Sequence, residues 1–340
     1  MMKTLGMAMV VLVAAGWALA ADAAAPVPQP VKELKLDLGN KVTLKLVRIP
    51  AGKFLMGSPD EEKKAAVKEA VAAGIPEANA SDAFKDEVQH EVTISKPFYM
   101  GVTHVTVDQF AAFVKDSGYK TDAEKDGGAI GFQIKDGKLD FKKVDGCSWR
   151  NPSFDQKADH PVVQVSWNDA KGFCDWLSKK SGKKVVLPTE AQWEYACRAG
   201  TKTAYPWGDS PDDGKGWANC SDQSLKKKLP NAPADWAFFN WDDGFVFTAP
   251  VGSFKGNAFG LYEMNGNAWQ WCQDRYGDYE KGAATDPTGA DTGDLRVLRG
   301  GSWIGDPRVF RSADRRGGTP DYRSGHIGFR VAVAVGVDLP

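Results

Sequence analysis

Apolar and polar residues alternate over Leu34-Lys-Leu-Asp-Leu38 and again over Val42-Thr-Leu-Lys-Leu-Val-Arg-Ile49. A period of two sends one face of each segment into a core and the other into solvent, which predicts two strands paired about Gly39-Asn40. Pro50 to Gly57 reads as a turn followed by a strand, and His90 to Ser95 as another strand. Between them, Asp60 to Ala80 is rich in Ala, Glu and Lys and predicts a surface helix or helix pair.

Three further helices carry their own start signals. Thr106-x-x-Gln109 opens one that bears Phe110, Phe113 and Val114. Ser166-x-x-Asp169 opens the next, with Ala170, Phe173, Cys174 and Leu177 on one stripe and Gly182 as terminator. Thr189-x-x-Gln192 opens the third, which groups Trp193, Ala196 and Cys197 and stops at Gly200. In each, the cap hydroxyl satisfies a helix-end amide and so fixes where the helix begins. Beyond Gly200 periodicity fades, and Gly, Asn, Asp and Pro recur every few residues with aromatic rings between them. Buried backbone in such loops needs hydrogen-bond partners outside any ladder. Arg296 to Arg330 holds eight arginines and no lysine, and a guanidinium fork can grip several carbonyls at once. Loop stapling is the main role this predicts; a pocket for an anionic ligand is the minor one.

The chain has 340 residues, enough for one large domain or two ordinary ones. With 43 basic and 44 acidic residues, long-range attraction to nucleic acid or to an anionic membrane is not expected. Lys3 followed by an apolar run from Leu5 to Ala20 predicts a secretory signal peptide over 1–20, cleaved after Ala18-Leu-Ala20 or after Ala23. An uncleaved anchor is the weaker alternative, so the mature chain is expected to be periplasmic or extracellular, without stable membrane insertion. Pro26, Pro28 and Pro30 mark a flexible lead-in over 21–33. The five cysteines, Cys147, Cys174, Cys197, Cys220 and Cys272, form no Cys-x-x-Cys pair, and their odd number leaves at least one thiol unpaired. No paired-histidine zinc motif, P-loop or nucleophile elbow is present.

Five blocks, in order, resemble the formylglycine-generating enzyme (sulfatase-modifying factor) family. They are Arg48-Ile-Pro-Ala-Gly-Lys-Phe-Leu-Met-Gly57, Phe98-Tyr-Met-Gly-Val-Thr-His-Val-Thr106, His160-Pro-Val-Val-Gln-Val-Ser-Trp167 running on to Leu187–Arg198, Gly260–Trp271, and Arg299-Gly-Gly-Ser-Trp303 with Gly328-Phe-Arg330. The resemblance implies an α+β, C-type-lectin-like domain over 34–338, low in regular structure. Oxidases of the family keep a cysteine pair shortly after Gly-Gly-Ser-Trp. Here the first falls on Gly305 and the second has no counterpart. Without two thiolates there is no ligand set for Cu(I), so copper is not expected. Cys174 and Cys197 match positions that are disulfide-bonded in some relatives, but their partners would fall at Ser312 and Val331, so both are expected to act as inert small hydrophobes. His104 stands where the family usually has glutamate.

Calcium is the cofactor that the resemblance implies. Asn219, the carbonyls of Cys220 and Phe245, and Asp243 match one family site, in the all-oxygen chemistry the ion requires. A weaker second site would use Glu263, Gly266 and Ala268, with Gln270 where the family has a glutamate. Two functions then compete: a non-oxidase binding or scaffold module for a peptide, glycan or protein, or an oxidoreductase using copper-thiolate-independent chemistry. For the second, the candidate cleft residues are Ser302, Trp303, Asp306, Arg308 and Arg311. Formylglycine generation itself ranks last.

Overall fold

The alternation at the start of the described chain becomes β1 (Glu33–Gly39) and β2 (Val42–Ile49), an antiparallel pair in the computed structural model, which describes residues 33–338. The expected signal peptide and all but the last residue of the lead-in lie outside the described residues. Leu36 pairs with Leu44, and the turn uses left-handed backbone at Gly39, Asn40 and Lys41. A five-stranded sheet continues from β2 through β5 (Phe98–Gly101) and β14 (Ala332–Asp338) to β8 (Lys183–Val186). The last strand among the described residues therefore lies inside this sheet, antiparallel to both neighbours.

Three start signals produce α3 (Val107–Ser117), α5 (Trp167–Ser181) and α6 (Glu190–Arg198), each with a complete reciprocal capping box. Gly118 and Gly182 end the first two in left-handed geometry. The third differs by one residue: Ala199, not Gly200, is the first left-handed position, because its amide already closes on the Tyr195 carbonyl. The apolar stripes of α3 and α5 pack together against the large sheet. Phe110 lies 5.3 Å from Phe113 and 6.1 Å from Phe173, centroid to centroid. Such ring pairs add to the stabilisation from simple burial of their area.

A second sheet joins β3 (Gly52–Met56), β4 (His90–Ile94) and the short β10 (Ala284–Thr285). The predicted helix pair, α1 (Asp60–Ala72) and α2 (Glu77–Phe84), is inserted between β3 and β4. Each follows a proline rather than a side-chain cap, and Asp60, Glu61 and Glu62 place negative charge on the first turn of α1. A third sheet orders β12 (Arg315–Gly318), β11 (Arg296–Arg299), β9 (Trp269–Arg275) and β13 (Ile327–Phe329). Besides β5, β8 and every strand after Gly200, three features were not foreseen: α4 (Asp122–Lys125), capped by Thr121 and Glu124, the hairpin of β6 (Gly128–Lys135) and β7 (Lys138–Asp145), and α7 (Gln223–Lys228). The hairpin turns at Asp136-Gly137, both left-handed, as a tight two-residue loop requires.

The arginines hold the loops, as their clustering predicts. Arg330, fully buried, donates to the carbonyls of Gly101, Tyr262 and Glu263 and to Gln270 Oε1. Arg299 grips the carbonyls of Ser312, Ala313 and Asp314 and pairs with Glu194. Arg315 chelates Glu190 through two bonds of 2.8 Å, and Arg311 chelates Glu87 at 2.7 and 2.8 Å. Buried charge persists in this protein because nearly every guanidinium has a carboxylate or carbonyl cage.

Candidate functional site

The Gly300-Gly301-Ser302-Trp303 turn follows β11, and its first glycine is obligatory. At φ 96° a Cβ on Gly300 would stand 2.5 Å from the Met264 carbonyl oxygen. The turn drives Trp303 inward, where Phe132, Phe154 and Phe247 surround its ring at 5.0 to 5.8 Å and its indole N–H donates to the Gly325 carbonyl. Phe132 comes from the unforeseen hairpin, which covers this side of the turn. Ser302 is fully buried and its Oγ has no partner.

The five cleft candidates are therefore not brought to one open cleft. Ser302 and Trp303 are core. Asp306 and Arg308 pair with each other at 2.5 Å, and Arg308 also donates to the Asp235 carbonyl. Arg311 is drawn the other way, into Glu62 and Glu87. Arg308 and Arg311 do line a groove of about 320 Å³, but its opposite wall is α1 rather than the Ser302 turn.

No thiol occupies the turn. A Cβ at Gly305 would lie 3.1 Å from both the Phe310 ring and the Ser302 carbonyl oxygen, so aromatic carbon already fills much of the space a side chain would need. All five cysteines are free and buried. Cys147, Cys220 and Cys272 sit in three separate clusters, so they offer no relocated thiolate pair. Cys197 Sγ lies 3.7 Å from Ser312 Oγ, one of the two positions matched to a missing disulfide partner, and burial raises its thiol to about 11. Cys174 shares the large core with Val331. Thiols so desolvated are poor nucleophiles.

The first oxygen-ligand set is more open to a cation. Asn219 is fully buried: its amide nitrogen donates to the Phe247 carbonyl at 2.8 Å, while its Oδ1 has no partner. Asp243 accepts the amides of Cys220 at 2.9 Å and Phe245 at 2.7 Å. Burial, then repulsion from Asp222, pushes its carboxyl up to about 8. Asp222 was missed in the sequence; it caps α7 and accepts the Asp243 amide. Two desolvated carboxyls, one of them holding the amide next to Asn219, and the orphaned Asn219 Oδ1 make up a donor set lacking positive charge, which is the chemistry calcium suits. Among the described residues no group of three or more His, Cys, Asp or Glu side chains could hold a metal, so any ion here must draw on carbonyl and amide oxygens.

The second set does not fit an ion. Gln270 Nε2 donates to the carbonyls of Glu263 and Met264, and its Oε1 takes Trp193 Nε1 and Arg330 Nε. His104 Nε2–H donates to the Ala268 carbonyl, and the Gly266 carbonyl accepts the Ala268 amide. With glutamine in place of a carboxylate, the protein's own donors saturate the oxygens an ion would use. His104 itself, buried and near Arg330, is held down to about 3 and stays neutral.

A family model for the sulfatase-modifying factor enzyme 1-like domain matches residues 38–335. The chain is 35% identical over 332 residues to the formylglycine-generating enzyme of Streptomyces coelicolor, covering 91% of this chain and 95% of that one. It is 33% identical over 331 residues to the inactive C-alpha-formylglycine-generating enzyme 2 of Bos taurus, covering 88% and 92%. Among solved structures, PvdO from Pseudomonas aeruginosa superposes with a TM-score of 0.64 at 29% identity, over 92% of this chain and all of that one. No helix among the described residues is long and apolar enough to cross a membrane.

Proposed function

The chain belongs to the sulfatase-modifying factor enzyme 1-like family, and from that premise we propose that it is an exported, calcium-stabilised member that binds a ligand and does not oxidise cysteine to formylglycine. One observation carries the proposal: where the resemblance places the first reactive cysteine stands Gly305, packed against Phe310, and every thiol of the chain is buried elsewhere. Copper(I) needs soft thiolate ligands, and a substrate thiol needs a sulfur to engage. The described residues offer neither. Both active and inactive relatives match over most of their length, so the family alone does not decide between them.

The direct test incubates the purified mature protein with Cu(I), oxygen and a cysteine-containing sulfatase peptide, and reads the peptide mass. The mass should stay unchanged; conversion of the cysteine would overturn the proposal. Calcium supplies positive charge to Asp243, Asp222 and Asn219 Oδ1 when bound. A ligand held by the folded form alone stabilises it by about 2.7 kcal/mol at a hundredfold excess over its dissociation constant. Millimolar calcium should therefore raise the melting temperature of EGTA-treated protein by several degrees, and Asp243→Asn should abolish the rise. An unchanged transition in the wild-type protein would remove calcium from the account.

A further inference from the structure

Glu69 on α1 and Arg308 line the same groove of about 320 Å³, yet no hydrogen bond or ion pair joins them. Arg308 is only 7% exposed. Its Nε and Nη2 are taken by Asp306 at 3.1 and 2.5 Å, while Nη1 is buried without a partner. Lys202, exposed at the rim, makes no ion pair among the described residues. Glu69 likewise makes none. Partial desolvation lifts its carboxyl above the usual range against the pull of Arg308 and Arg311. Between these polar ends, Ala66, Ala204 and Tyr205 contribute a buried apolar floor.

We propose that this groove binds a small zwitterion, a free α-amino acid or a dipeptide, with its carboxylate on the Arg308 guanidinium and Lys202 and its ammonium on Glu69. A desolvated guanidinium N–H without an acceptor is costly, and a carboxylate is the acceptor it is shaped for. A simple anion does not suit the rest of the site. Glu61, Glu62, Glu69 and Asp209 all border the groove, and Arg308 and Arg311 already have carboxylate partners. A molecule with separated opposite charges answers both walls at once, and its aliphatic part meets the alanine and tyrosine floor. The volume is at the small end for ligand pockets, which hold roughly 300–1,000 Å³. The assignment names the site and ligand class for the binding-module function proposed above, and it rests on that function.

The test is isothermal titration calorimetry of the full mature protein with L-leucine, L-lysine and glycyl-leucine, each beside its N-acetyl and C-amide derivative, and with inorganic phosphate. At least one zwitterion should bind, and blocking either end should weaken it at least tenfold. The preferred probe among the three separates amino acid from dipeptide. Glu69→Gln, at an exposed helical position, should leave the melting temperature unchanged, weaken the unblocked ligand tenfold and leave its N-acetyl form unaffected. The proposal is overturned if no zwitterion gives heat or a melting shift at millimolar concentration, if blocked forms bind equally well, or if phosphate binds instead. Absent binding with no peptide oxidation removes the groove alone. Peptide oxidation in the copper assay removes the binding-module function and leaves these titrations to be judged by themselves.

Discussion

Arg299→Met should lower the stability of the fold by about 3–5 kcal/mol, a large part of the roughly 5–15 kcal/mol that holds a typical domain together. The side chain is wholly buried. Its Nη1 donates to the carbonyls of Ala313 at 2.6 Å and Asp314 at 2.5 Å, and its Nη2 to the Ser312 carbonyl at 3.0 Å and to Glu194. Glu194 is also wholly buried. Without Arg299 it keeps only the Arg198 guanidinium at 2.8 Å and the Gly57 amide at 2.9 Å. Methionine fills much of the volume but leaves three carbonyls without donors and one carboxylate half-compensated, and the cost comes from those stranded groups. Arg299→Lys keeps the charge but offers one compact ammonium in place of a fork, so it should recover less than half of the loss. Urea unfolding with unchanged slope reads both variants. A loss below about 1 kcal/mol for methionine would show that the loop is held by something else.

The second large effect is the stability that two buried carboxyls lose from pH 5 to pH 8, measured in EGTA so that no ion contributes. It is read as the difference between wild type and Asp274→Asn, because the buried, neutral His104 and His326 add the opposite slope below about pH 6.5. Burial, then repulsion from Glu190, pushes the Asp274 carboxyl up to about 7. Burial likewise raises Glu263 to about 7, although the amides of Gly252 and Phe254 donate to it. In an unfolded chain such groups ionise at about 4. Between those values the folded protein holds protons that the unfolded chain has released, so raising the pH favours unfolding until the folded groups also ionise. A carboxyl that ionises one pH unit higher in the folded chain than in the unfolded one contributes about 1.4 kcal/mol, which puts the combined ceiling for the two at several kcal/mol. Glu87 and Glu190, held low by Arg311 and Arg315 despite burial, act only in more acidic solution. Asp274→Asn can still accept the Glu190 amide that Asp274 accepts at 2.8 Å, and it should flatten the decline, gaining relative to wild type at pH 8. A difference in melting temperature between wild type and Asp274→Asn that stays level across this window would contradict the assignment.

Local chemistry was legible in the sequence wherever neighbours decide it. The three capping boxes, the first hairpin and the helix pair before β4 all depend on residues a few positions apart, and all are present. The stapling arginines were legible as a composition, but their acids were not. Glu62 lies 249 residues from Arg311, and Glu190 lies 125 from Arg315, so no spacing rule could pair them. The cleft failed for the same reason. Ser302 to Arg311 is one stretch of chain, but the β6–β7 hairpin covers one end and α1 faces the other. The oxygen-ligand residues came from the resemblance alone. Asp222 was missed because a helix-capping aspartate has the same local signature whether or not a second carboxyl stands beside it.

The place of β14 has a consequence for how this polypeptide acquires its shape. The strand that fills the gap between β5 and β8 comes after every other described element along the chain. Until it emerges, the two flanking strands have no common neighbour and the aromatic helices lack a complete surface to settle on. Closure of the sheet is thereby deferred until the whole domain has been made, and removing β14 would open the sheet at its middle rather than fray one edge.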